Sequence, residues 1–162
     1  MKTIQWLFLV SALLFICGVA FIIAGERARQ TAPPAAAAVE VTPVATVKQI
    51  MRSIVAPAST AIFESVSTTV SASGTETKEP QNEEEWAALG ASAAALAEAG
   101  NMMMTGGRAI DRQDWTKMSQ AMVDAGVESL KAAQAKNADG ILAAGERVNT
   151  SCDTCHAKYW RQ

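Results

Sequence analysis

Residues Ile4 to Ala24 are apolar almost without a break, interrupted only by Gln5, Ser11 and small residues. About 20 such residues carry a helix across a bilayer, so this segment is set apart from whatever folds downstream. Two readings fit residues 1–24. One is an uncleaved membrane anchor; the other is a secretory signal peptide with Lys2 as its charged start, although the apolar run is long for that class. Cys17 falls inside the run and reads as a buried membrane-helix residue. A lipoprotein signal fits poorly, because Ile16 stands before the cysteine where a small residue is needed. Lys2 precedes the span and Arg27 and Arg29 follow it, so positive charge alone does not orient it.

Residues 25–43 are rich in alanine and proline, with Pro33, Pro34, Pro43 and the Ala35–Ala38 run. Such a stretch cannot bury a core and is expected to be a flexible tether. A second loop signal runs from Ser71 to Gln81, bracketed by Gly74 and Pro80.

Between these breaks the apolar residues recur at intervals of three and four, which predicts amphipathic helices. The first stripe is Val44, Val47, Met51, Ile54, Ala58, Ile62, Val66 and Val70, with Pro57 expected to kink it near Ile54. The second opens on Asn82 and three glutamates and aligns Trp86, Leu89, Ala93, Leu96, Gly100 and Met103, ending at Gly106-Gly107. The third starts near Asp111 or Asp114 and aligns Trp115, Met118, Met122, Ala125, Ser129 and Ala133. Asn137 to Gly140 form a turn or the next cap. The fourth runs from about Ile141 to Trp160, with Ile141, Gly145, Val148, Cys152, Cys155 and Tyr159 inward. Strand signals are weak, since the β-branched run Val66–Val70 continues a helical stripe. The expected fold of 44–162 is therefore all-α, an antiparallel four-helix bundle. Small residues on the inner faces mean either close helix approach or space kept for a cofactor.

The chain has three cysteines and a single histidine, which excludes a disulfide framework and any site built on two imidazoles. Two of those cysteines and the histidine form Cys152-Asp153-Thr154-Cys155-His156, the C-x-x-C-H pattern of c-type haem attachment. Two thiols about one helical turn apart can add to the two vinyl groups on one porphyrin edge, and the adjacent imidazole then reaches the iron. A structural zinc site lacks a fourth ligand. A thioredoxin-like dithiol would open a helix after a strand, whereas this pair closes one. Haem attachment takes place outside the energised membrane, which would put the domain in the periplasm and Lys2 inside.

The C-terminal stretch Cys152 to Tyr159, on the last of four helices, resembles the cytochrome c-prime class of monohaem cytochromes. The resemblance covers roughly Thr46 onward. It rests on the motif and its position, on Tyr159 three residues after the histidine, and on Met51 in the first helix. It implies one covalent haem c in an antiparallel four-helix bundle, with His156 as proximal iron ligand. A first-helix side chain, here Met51, would approach the distal face as either a ligand or a non-ligating apolar residue. Members are often dimers through their first helices, so a homodimer is implied as well. The family often has a basic residue four after the histidine; here Trp160 stands there, with Arg161 beyond.

No second histidine exists, so the sixth position is methionine or vacant. Met51 is the candidate, with core packing as its other reading. Met102, Met103 and Met104 form a rival cluster better explained by packing, and Trp86, Trp115 and Tyr159 read as core or haem-edge residues. A methionine-ligated iron suits electron transfer with redox partner proteins; an open iron suits binding or sensing of nitric oxide or carbon monoxide. A peroxidase, and with it an enzymatic role, lacks the distal base. The net charge of -2, without blocks of like charge, argues against nucleic acid and favours basic partner patches. The expected location is the periplasm, anchored by residues 4–24 or soluble after cleavage.

Overall fold

The structure is a computed structural model that describes residues 2–31 and 42–160. It divides into an N-terminal unit and a unit that begins near Glu40. In the first, helix α1 spans Lys2–Thr31. Its stretch Ile4–Gly25 has the length and composition of a membrane-crossing or signal helix, and none of it is buried. The helix continues through 25–31, which the alanine-proline reading had assigned to the tether; glutamate, arginine and glutamine there are good helix formers. The rest of the expected tether, 32–41, lies outside the described residues.

The second unit is mostly helical. It runs α2 (Val47–Ile50), a π turn (Met51–Val55), α3 (Ala56–Ser65), β1 (Ser67–Ser71), β2 (Gly74–Lys78), α4 (Glu83–Met104), α5 (Asp114–Gln134) and α6 (Ala138–Tyr159). The starts follow from capping chemistry. Thr46 and Gln49 form a reciprocal capping box at α2. Asn82 Oδ1 accepts from the Glu85 amide at 2.9 Å, below three first-turn glutamates that suit the helix dipole. Asn137 Oδ1 accepts from the Gly140 amide at 2.9 Å, so Asn137 is the cap of α6. Gly106 and Gly107 take positive φ after α4, which bars helix continuation.

The β-branched run was misread as helix, and the fold is not purely α. After Val66, in extended conformation, Thr68, Thr69 and Val70 pair antiparallel with Thr77, Glu76 and Thr75. Gly74, at φ +133°, lets the chain reverse. β-branched side chains prefer this pleated geometry, and Val70 is 78% exposed rather than on the inner stripe. The loop expected over Ser71–Gln81 accordingly contains β2.

Helix α4 packs on α5, α5 on α6, and α3 on both α4 and α6. The core includes Ile50, Ile62, Leu96, Met103, Ile141 and Val148, all less than 2% exposed. Small residues here serve close approach. A Cβ on Gly126 would sit 2.7 Å from the Ala97 nitrogen, and one on Gly100 would sit 2.5 Å from Val123 Cγ2. The predicted inner faces of α4, α5 and α6 are buried or half-buried as drawn. The first stripe is so from Val47 to Val66, but Val44 and Val70 at its ends are exposed, and Ile50, which lies off it, is fully buried.

Candidate cofactor site

Cys152, Cys155 and His156 lie in the last two turns of α6 and are all half-buried. The two thiols are free. Burial pushes both thiols up from the ordinary cysteine range, Cys155 further through its neighbour Cys152, so they are held as thiols rather than thiolates near neutral pH. Beside them opens a cavity of about 580 Å³. Cys155 and His156 form one wall, Met51 and Val47 the opposing one, and Trp115 and Tyr159 contribute aromatic surface. A smaller void of about 40 Å³ lies between Met51, Cys152, Cys155 and His156, closed by Met103, Met118 and Met122. The four residues singled out in the sequence are thus brought together, although Met51 is a hundred residues away.

The cluster Met102 to Met104 is divided. Met103 is 1% exposed and faces the small void, while Met102 and Met104 do not line the cavity. Trp115 is 4% exposed and its Nε1 donates to the Met103 carbonyl at 2.9 Å, fixing the indole as cavity floor. Trp86 is buried elsewhere, against Leu130 and Ala133 of α5.

Several groups at the rim were not found in the sequence. Asp111 Oδ1 accepts from the amides of Gln113, Asp114 and Trp115 at 3.1, 2.8 and 3.0 Å, while its Oδ2 accepts from the Tyr159 hydroxyl. That hydroxyl bond, then the backbone amides, hold the Asp111 carboxyl down at about 2. Burial and the same carboxylate push the Tyr159 hydroxyl up. Lys158 bridges to Asp114, so two links join the end of α6 to the start of α5. Arg108 Nε donates to the Ala45 carbonyl at 3.1 Å, joining the α4–α5 connection to the approach of α2. Lys48 and Arg52 line the cavity and are exposed. Trp160, 73% exposed, meets the His156 ring edge-on at 4.7 Å. Arg161 lies outside the described residues.

Among the described residues no three His, Cys, Asp or Glu side chains are grouped to hold a metal ion by themselves. What the cavity can take is a flat apolar group. Its volume falls in the usual range of about 300–1,000 Å³ for small-molecule sites. One thiol, Cys155, and the His156 imidazole line it from one helix, with Cys152 behind them at the small void, the Met51 thioether lines it from another, and Lys48 and Arg52 stand at the opening to meet acidic substituents. This donor set fits a porphyrin with two vinyl and two carboxylate arms. Against protein-family models, curated proteins and solved structures alike, the chain gives no match.

Proposed function

We propose that the domain is a monohaem c-type cytochrome of the c-prime kind, an antiparallel four-helix bundle that carries electrons outside the cytoplasmic membrane and is held there by α1. The observation that carries the reading is the meeting of Met51 with Cys155 and His156 across one cavity. The bundle is supported by the pairwise packing of α3, α4, α5 and α6 and by the short α5–α6 connection, which favours antiparallel neighbours.

Haem supplies reversible one-electron chemistry; the chain supplies attachment, ligation and burial. Cys152 and Cys155 would hold the group through thioethers, each made by adding S–H across one vinyl C=C, sulfur to one carbon and hydrogen to the other, with no leaving group and no electrons consumed. His156 would hold the iron through one imidazole nitrogen, and Met51 would offer its thioether. Lys48 and Arg52 neutralise the carboxylate arms. The exposed cations at this opening also suit redox partners with acidic faces, against the preference drawn from net charge.

A second reading has its own observation. The void of about 40 Å³ between Met51 and His156 leaves the thioether unpacked against the imidazole side of the site, which suits an open iron that binds nitric oxide or carbon monoxide. Absorption spectra of the purified haem protein separate the two. The carrier is expected to be low-spin, to ignore carbon monoxide, and to turn high-spin in Met51→Ala; a high-spin spectrum in the unaltered protein would overturn it. Intact-mass measurement is expected to show one added haem, lost in the Cys152→Ser, Cys155→Ser double variant, and to show whether residues 1–24 remain.

A further inference from the structure

The first helix of the domain contains an extra residue. Its buried positions are Ile50, Val55, Ala58, Ile62 and Val66, at intervals of five, three, four and four. In a regular α-helix an interval of five leaves two side chains about 140° apart, so Ile50 and Val55 could not both enter the core. They do so because Met51–Val55 is a π turn, in which the Ala56 amide donates to the Met51 carbonyl rather than to Arg52. Carrying a regular helix backwards from Ala58 and Val55 would give Ile54, Met51 and Val47 as the core-facing stripe, which is the stripe the sequence suggests. The π turn places Ile50 in the core instead and leaves Met51 half-buried on the cavity.

The cause sits two residues past the turn. Pro57 has no amide for the Ser53 carbonyl, and its ring would press on that carbonyl in a tight α turn; a wider turn relieves both. We propose that Pro57 is a positioning residue: it holds the π turn, and the π turn holds the Met51 thioether at the cavity rather than in the core. This deepens the haem reading and rests on it, because it assigns to Pro57 the choice between a methionine-ligated and an open iron.

The test is Pro57→Ala in the full chain with its haem, beside the unaltered protein and Met51→Ala. The first readout is a crystal structure of the variant. The expected result is an Ala56 amide bonded to the Arg52 carbonyl, with Met51 turned toward the site of Ile50; a persisting π turn overturns the proposal whatever the iron does. The second readout is spectroscopic. The variant is expected to shift from low-spin to largely high-spin and to gain carbon monoxide binding, while its urea midpoint stays level or rises, since alanine favours helix over proline. A regularised turn with an unchanged low-spin spectrum also overturns it. If the unaltered protein is already high-spin and Met51→Ala changes nothing, the methionine-ligated reading fails, and the crystal structure still decides whether Pro57 sets the place of Met51.

Discussion

At the cavity rim one carboxylate, Asp111, is shared between the first amides of α5 and the Tyr159 hydroxyl at the end of α6. Its pKa lies at about 2, below the unperturbed value of 3.8, so the ionised form stabilises the fold above pH 4 and that contribution fades as pH falls toward 2. Thermal unfolding of the unaltered protein against Asp111→Asn should therefore show a gap that is constant above about pH 5 and closes toward pH 2. A gap independent of pH would mean that packing, and not ionisation, is what the variant loses. At this scale the proposed attachment residues stand out in the sequence, because Cys152, Cys155 and His156 are neighbours in the chain and their spacing is what suggests their chemistry. Lys48, Arg52 and Asp111 do not, since only the fold brings them to one opening. The available signal for Asp111 was an aspartate near a helix start, which marked where α5 begins and carried nothing of the link to Tyr159.

Among the elements, α4 to α6 could be read from apolar spacing because their caps and breakers agree with their stripes. The first helix could be read only in part: its course past Ala58 and an irregularity near Ile54 follow from the stripe and Pro57, but a period of 3.6 cannot anticipate a turn with one residue too many, and the hairpin was missed because its β-branched run happens to extend a helical stripe. The helix glycines give a direct check on packing. Gly126→Ala places its Cβ 2.7 Å from backbone of α4 and should cost about 1–3 kcal/mol, read as a lowered urea midpoint. Gly145→Ala meets only Phe63 Cδ1 at 3.7 Å and Ile62 Cγ2 at 3.9 Å, both ordinary contacts, and should be neutral or stabilising by up to about 1 kcal/mol. Equal effects at the two sites would contradict the close α4–α5 approach.

Taken whole, the domain is polarised. Lys48, Arg52 and Lys158 lie at the cavity end, where Asp111 and Asp114 are already bonded and Asp153 accepts from Asn149. Glu76, Glu79 and the three glutamates of the α4 start lie at the other end, beside the hairpin. Reduction of the haem protein by an anionic iron chelate should slow as salt rises from about 0.01 to 0.15 M, where the screening length falls from about 30 to about 8 Å. The Lys48→Glu, Arg52→Glu double variant should flatten or reverse that slope, while Lys136→Glu at the far end should not. Net charge alone pointed the other way because it averages over two ends of opposite sign. The hairpin at the acidic end buries none of the residues of β1 or β2. It stands roughly 30 Å from the cavity, by the length of α4 at about 1.5 Å per residue. A fluorophore or affinity sequence spliced between Ala72 and Ser73 would therefore report on the protein or immobilise it with the cavity facing outward, leaving the core and Cys152, Cys155 and His156 untouched.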